Sequence, residues 1–442
     1  MKHETRDLLV QLYEAAVLAA HPAGCLAPHL PPVPGRGRLI VLGAGKAAAA
    51  MAQVAEQHYV AAGVIGQVVG CLTPPHGYAA TLPGPPPAHL AIAEARHPVP
   101  DAASERAAGR AHALAASATE ADHVLVLLSG GASSLWAAPA GIDLDTKTAL
   151  TRGLLKSGAD IHEMNMVRRH VSRIKGGRLA QAAGRAAHVL TLAISDVPGD
   201  DPATIGSGPT VPDPTTLADA IAVLDRLGPR MAALGLAIPA AVRTALADPA
   251  NETPKPGAAV FGKAEYRIIA TPRAALDRAA ELARAAGYRV IDLGDRVTGE
   301  ARDVALAHAE RARAARANGE RIAILSGGEL EVTVRSRGGR GGRSQEYALA
   351  LAIALDGTPG IAAIAADTDG IDGGDGEVTD AAGAVVSGET VREARARHID
   401  ATDALNKNDS TPLLDSLGAL VVRGPTHTNV NDFRLILVDP DA

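Results

Sequence analysis

In LIVLGAGKAAAA (39–50) an apolar run passes through Gly43 and Gly45, and Lys46 follows directly before a string of alanines. Glycines let the backbone approach an oxyanion, and the N–H groups at a helix start add to the attraction of a lysine ammonium. This is the pattern of a phosphate or carboxylate site. Gly43, Gly45 and Ala48 also satisfy G-x-G-x-x-A, so a dinucleotide-binding loop is a competing reading. That loop calls for an acidic residue about 20 residues on, at the end of the second strand. The next apolar segment, GQVVGCLT, ends at Thr73 without one.

A second run, VLLSGGASSLWAAP (126–139), leads into Ser129, Gly130, Gly131, Ser133 and Ser134, and ILSGGE (324–329) repeats the device with Gly327 and Gly328. Consecutive small residues with amides and hydroxyls can form an anion nest. The esterase elbow G-x-S-x-G is absent, because Leu135 stands at its last position. GAAVFGKA (257–264) departs from a P-loop at Ala264 and follows a polar, Pro-rich stretch instead of a strand.

Two acidic groups could neutralise a metal ion: ISDVPGDD, with Asp196, Asp200 and Asp201, and ADTDGIDGGDGEVTD, with Asp367, Asp369, Asp372 and Asp375. Magnesium at a phosphoryl-transfer site takes one or two carboxylates plus phosphate oxygens. Asp196 and Asp369 lie nearest their strands and are the metal candidates, the alternative being solvated Asp-Gly turns. Ile371 at the fifth loop position excludes a calcium EF-hand. In RSRGGRGGRSQE (335–346), Arg335, Arg337, Arg340 and Arg343 flank two glycine pairs, which suggests a mobile arginine loop over an anionic substrate; a basic hairpin turn is the plainer alternative. In GPTHTNVNDFRLILV (424–438), Thr426, Thr428, Asn429, Asn431 and Asp432 either order a turn or bind a polar ligand. Asn165, Arg168, Arg169 and Lys175 sit on an expected helix, where surface charge is the ordinary fate.

These clusters need elements to hold them. RLIVLG, HVLVLLSGG and HVLTLAISD alternate with Ala-rich helical stretches, the pattern of a parallel α/β sheet, whose ligands bind beyond the carboxyl ends of the strands. PANETPKPG (249–257) reads as a linker, so a boundary is expected between 256 and 257. Beyond it YRIIAT, RVIDLG, RIAILSGGELEVTV and IAAIAADTDG restart the alternation, and ELEVTVRSR is expected as a strand with one wet face in a mixed sheet. The fold class is therefore α/β throughout: a larger Rossmann-like parallel-sheet domain, 1–256, and a smaller mixed-sheet domain, 257–442.

Composition narrows the partners. One Trp, six Tyr and two Phe in 442 residues starve base stacking, and a net charge of −6 gives no general pull on polyanions, so nucleic acid is not expected. No run of about 18 uncharged apolar residues suggests a membrane span. Cys25 and Cys71 are the only cysteines, which suits a reducing compartment, and a cytoplasmic location is expected.

Taken in order, GAGKA, HPVPD (97–101), LLSGGASSL, NMVRRHVSRIKGGRLA, ISDVPGDDPATIGSGPT, GGRGGRSQE, DTDGIDG and GPTHTNVND resemble the signature set of the class II glycerate 2-kinases with a C-terminal MOFRL domain. The resemblance runs through nearly the whole chain. It implies ATP-dependent phosphorylation of D-glycerate to 2-phosphoglycerate with Mg2+, in a cleft between two domains, with a homodimer as a compatible assembly. Members often carry the name hydroxypyruvate reductase, so an NAD(P)H-dependent reductase is one alternative and a non-catalytic nucleotide-binding regulator another. The family's functional lysine falls on Lys46 and its arginine on Arg343, with Ser344 where Asn is usual. Asp196 is the candidate to orient or deprotonate the acceptor hydroxyl. Gly43, Gly45, Ser129, Gly130, Gly131, Ser133, Gly327, Gly328, Asn429, Asn431 and Asp432 are the candidate nucleotide or phosphate contacts.

Overall fold

The computed structural model describes residues 1–374 and 376–440. The chain forms two compact units, residues 25–269, and residues 1–24 together with those from 270 onward. This differs from the expected boundary at 256/257 in two respects. The segment after the Pro-rich stretch stays with the first sheet, because Tyr266 and Ile268 pack on its core. The N-terminal helix His3–Ala20 belongs to the second unit. Its buried stripe of Leu9, Leu12, Tyr13, Ala16 and Ala20 follows helical spacing. The Tyr13 hydroxyl donates to the Asp367 carbonyl at 2.8 Å, and its ring lies 5.9 Å from that of Phe433.

The larger unit holds β1 (Leu39–Ala44), β2 (Val68–Thr73), β3 (Ala91–Ile92), β4 (His123–Leu128), β5 (His188–Ile194) and β6 (Ala264–Ala270), in the order β3-β2-β1-β4-β5-β6. Strands β1 to β5 pair in parallel. β1 is central and wholly buried, which explains its unbroken apolar run. The register sets Ala44 opposite both Thr73 and Leu128, and Leu128 opposite Ala193. The carboxyl ends of four neighbouring strands therefore finish level, and the loops carrying Lys46, Ser129 and Asp196 leave from one edge.

The second unit holds β7 (Arg289–Asp292), β8 (Ile322–Ser326), β9 (Ile361–Asp367), β10 (Gly383–Ser387), β11 (Leu420–Val421) and β12 (Asp432–Val438), in the order β11-β10-β9-β12-β8-β7. β7 and β8 are parallel and β12 runs antiparallel to both its neighbours, so the sheet is mixed as expected. The wet strand expected over ELEVTVRSR does not form. Glu331 makes an isolated bridge to Glu300, and beyond it side chains take the ladder's place: Thr333 N donates to Glu300 and Arg335 N to Asn408 Oδ1.

Truncating Tyr13 should remove both a buried ring and its hydrogen bond. Tyr13→Ala is expected to cost about 3–5 kcal/mol in urea unfolding, while Tyr13→Phe should lose only about 1 kcal/mol.

Candidate functional site

The turn after β1 is built on a close approach. Gly45 has φ +134°, and a Cβ there would lie 2.1 Å from Ser129 Oγ, so only glycine fits. The amides of the turn are all engaged. Gly45 N donates to Thr73 O at 3.2 Å, Lys46 N to Gly130 O at 2.8 Å, Ala47 N to Ser129 Oγ at 2.9 Å and Ala48 N to Gly45 O at 3.0 Å. Gly43 lies within β1, where a Cβ would meet Leu127 O and Leu72 Cδ2 at 2.8 Å. The expectation that Gly43 and Gly45 offer their backbone to a phosphate is therefore corrected: both are small for packing. The same engagement removes the amides a dinucleotide pyrophosphate would need, and Thr73 at the end of β2 accepts from Trp136 Nε1 at 3.2 Å.

What the turn presents is the half-buried Lys46 side chain. Its Cγ lies 3.7 Å from the point a Cβ on Gly131 would occupy, and His97 Cδ2 lies 2.9 Å from that point. Lys46, His97 and Gly131 thus share one spot. Burial, and then the field of Lys46, push the His97 imidazole down to about 3, so His97 is neutral at physiological pH. Gly131, at φ +84°, opens the helical turn Ala132–Leu135 that carries Ser133.

The helix Ile161–His170 departs from expectation. Asn165 and Arg169 are buried and Arg168 is half-buried, while Lys175 beyond the helix is wholly buried. Arg169 pairs with Asp213 at 3.1 Å and is structural. Arg168 and Lys175 instead converge on Ser133. Lys175 Nζ donates to Ser133 O at 2.7 Å and to Ser133 Oγ at 2.9 Å, and Arg168 Nη2 also donates to Ser133 Oγ. Asp160 caps this helix by accepting from Glu163 N at 2.9 Å; nothing in the spacing said which face would be covered. Asp196, three residues past Ala193, is half-buried near Tyr266, whose phenol burial and the charges of Asp201 and Asp196 push up.

In the second unit Arg343 is the first residue of the helix Arg343–Ala354. Its Nε donates to Asp432 Oδ1 at 2.6 Å, Nη1 to Glu329 Oε1 at 2.9 Å and Nη2 to Asp367 Oδ2 at 2.7 Å. Burial opposes the charge, but the three carboxylates raise the guanidinium's pKa above its ordinary value. The expected mobile arginine loop is thus corrected: Arg343 is clamped, and the segment before it is tied down by Arg335 N to Asn408 Oδ1 and Arg340 N to Asp409 Oδ1. Arg335, Arg337 and Arg340 are exposed.

Asp432 also pairs with Arg434 at 2.9 Å and accepts from Leu330 N, so its carboxylate holds the framework; burial raises its pKa. Gly327 and Gly328 admit the backbone of residues 294–297. Gly327 N donates to Gly294 O at 2.8 Å, and a Cβ on Gly328 would lie 2.3 Å from Val297 O. They do not form the open nest expected of them. Asn429 Oδ1 accepts from Asn431 N at 3.2 Å, whereas Asn431 Nδ2 is buried without a hydrogen-bond partner among the described residues, an amide suited to a ligand oxygen. Asp369 is buried and accepts from Ile371 N at 2.8 Å. Asp372 accepts from Ser344 N at 2.9 Å and Gln345 N at 2.8 Å, capping the helix of Arg343. Asp375 lies outside the described residues. Among those described, no three His, Cys, Asp or Glu side chains converge as a metal site.

Two α/β units, one with a lysine fixed at a glycine-rich strand end and the other with an arginine clamped at a helix start, define an α/β protein built to handle small anions. Residues 8–247 match the family described as domain of unknown function DUF4147, and residues 322–432 match the MOFRL family. A D-glycerate 2-kinase from Thermotoga maritima is 35% identical over 98% of this chain and 98% of its own. A crystal structure of glycerate kinase from that organism superposes with TM-score 0.84, covering 99% of this chain and 100% of the other. An Agrobacterium vitis protein provisionally named hydroxypyruvate reductase is 45% identical over 98% of this chain and 94% of its own. The chain belongs to the class II glycerate 2-kinase family, with its MOFRL domain at the C-terminal end.

Burial raises the Asp372 carboxyl from its ordinary 3.8 to about 7, against the two amides that favour its charge and with help from Asp432 and Asp367. The folded state therefore holds this proton more tightly than the unfolded chain, and stability falls as pH rises from about 4 to about 7. Asp372→Asn should flatten that decline by on the order of 4 kcal/mol, read from urea midpoints at several pH values.

Proposed function

We propose that this chain transfers the γ-phosphoryl group of ATP to the 2-hydroxyl of D-glycerate, giving ADP and 2-phosphoglycerate. The reading is carried by Lys46, a lysine fixed at the level carboxyl edge of the parallel sheet in a chain 35% identical to a D-glycerate 2-kinase along nearly its full length. Phosphoryl transfer asks the protein mainly to position anions and neutralise their charge. Lys46 supplies a cation beside the neutral His97 and the small Gly131. Asp196 accepts the proton of the acceptor hydroxyl as the new O–P bond forms and the bond from the γ-phosphorus to its bridging oxygen breaks.

In the second unit Arg343 acts as a positioning residue. It holds Asp367, Asp432 and Glu329 in place, and Asn431 offers an amide to a phosphate oxygen. Magnesium fits this donor chemistry: without three converging ligands it would rest on one or two carboxylates and the phosphate oxygens, with Asp196 and Asp369 proposed within their own units. Bound there, it supplies charge neutralisation to the triphosphate. Among the described residues no helix is long and apolar enough to cross a membrane. A cytoplasmic location and a homodimer belong to the same proposal.

The reductase reading takes support from the names of relatives, but the engaged amides after β1 and the missing acid after β2 weigh against a nicotinamide cofactor. Parallel incubations separate the two. Glycerate with MgATP should yield a phosphomonoester, and hydroxypyruvate with NAD(P)H should leave the nicotinamide absorbance unchanged; the reverse result overturns the kinase. ATP turnover should require glycerate and stop in excess chelator.

Lys46→Ala is expected to cut kcat/KM by at least about 100-fold with an unchanged circular dichroism spectrum. An unfolded variant would make Lys46 a packing residue. Arg343→Lys keeps the charge but loses the three-way fork, so kcat should fall by about 100-fold or more, while Arg337→Lys at an exposed position should be silent. Equal kcat values for the two would remove Arg343 from the machinery.

A further inference from the structure

Three basic side chains lie together in the larger unit, none of them ion-paired to a carboxylate among the described residues. Lys175 is wholly buried, Lys147 is 3% exposed and Arg168 is half-buried. Neighbouring Arg169 has Asp213 for a partner at 3.1 Å, so the contrast is local. Burying unpaired like charges is unfavourable, and an incoming anion recovers much of that cost. The Nε of Arg168 is buried without a hydrogen-bond partner among the described residues, which leaves a guanidinium donor unused.

The hydroxyls around the cluster have a fixed sense. Ser133 Oγ accepts from Arg168 and from Lys175, so its own proton goes to Ser207 Oγ at 2.9 Å. Ser207 Oγ in turn donates to Asn165 Oδ1 at 3.1 Å. The charged donors thus meet on a single oxygen, a compact donor set. Ser133 is two residues from Gly131, beside which the stem of Lys46 lies. An acid held at Ser133 is therefore held on the loop that Lys46 overlooks.

We propose that Ser133, Asn165, Arg168 and Lys175 form the subsite for the carboxylate of the acceptor acid, with Arg168 and Lys175 as its charged donors and Lys147 adding to the field. This assigns Ser133 to the acceptor instead of the nucleotide, and it rests on the kinase reading for the identity of that acceptor. Charge balance agrees with it. Burial lowers Arg168 only to about 10, whereas burial and then Arg168 lower Lys147 to about 7 against the pull of Glu105, and burial followed by Arg168, Lys147 and Arg169 sets Lys175 well below its ordinary range. These depressions follow from burying like charges side by side, and a bound carboxylate offsets that repulsion.

Calorimetric titration of the full chain with D-glycerate, glycerol and ATP separates the possibilities, together with KM values for both substrates. Glycerate should bind and glycerol, which lacks the carboxylate, should not. Arg168→Gln and Lys175→Met should each raise the glycerate Kd and KM by about 30- to 100-fold and leave the ATP KM within about 2-fold, whereas exposed Lys156→Gln should change neither. Should Lys175→Met fail to fold, Arg168→Gln at its half-buried position carries the test. A raised ATP KM with unchanged glycerate affinity gives the cluster to the donor's phosphates and overturns the proposal, as does a variant that alters neither. If the native chain binds glycerate through Arg168 but does not phosphorylate it, the subsite stands and the kinase reading falls. If it phosphorylates glycerate and both variants keep its Kd, the subsite alone falls.

Discussion

The larger unit depends on one contact, the approach of Gly45 to Ser129. Because no Cβ separates them, the serine hydroxyl can cap Ala47 and the neighbouring Gly130 carbonyl can take the Lys46 amide. Two loops from adjacent parallel strands become one rigid piece. Lys46 is thereby fixed relative to Gly131 and Ser133 by backbone bonds, leaving only its own side-chain torsions to adjust. Rigid placement of this kind is what a reaction governed by positioning requires.

The second unit uses the same glycine-rich device for another end. Gly327 and Gly328 bring β8 against residues 294–297, which sets Glu329 where Arg343 can reach it, while the Asp367 and Asp432 register partners complete the fork from β9 and β12. A planar guanidinium bonded to three carboxylates from three segments is a stiff junction. Burial, reinforced by the charges of Asp432 and Asp367 at this junction, leaves Asp372 reluctant to ionise.

The sequence made the strands, the parallel arrangement of the first sheet and the position of Lys46 legible, because apolar runs ending in glycine mark the carboxyl edges where sites sit. It did not show that Arg168 and Lys175 turn inward. Charges on a short helix look alike from either side, and their burial depends on Ser133, more than thirty residues earlier. The alternation in ELEVTVRSR was equally deceptive: Glu300 and Asn408 side chains bond the amides a partner strand would have taken. Nor could local pattern show that β6 closes the first sheet, since strand membership is decided by packing across the unit.

The helix His3–Ala20 packs in the unit whose other residues begin at 270. During synthesis residues 25–269 can condense as soon as they have left the ribosome, whereas this earlier helix must wait for the helix Pro272–Ala285 and then for β9 and β12 before Leu9, Leu12 and Tyr13 are covered. Joining ends so distant in sequence adds only a logarithmic entropic cost at equilibrium. The larger burden is temporal: an apolar helical stripe stays uncovered until elements beyond residue 270 exist.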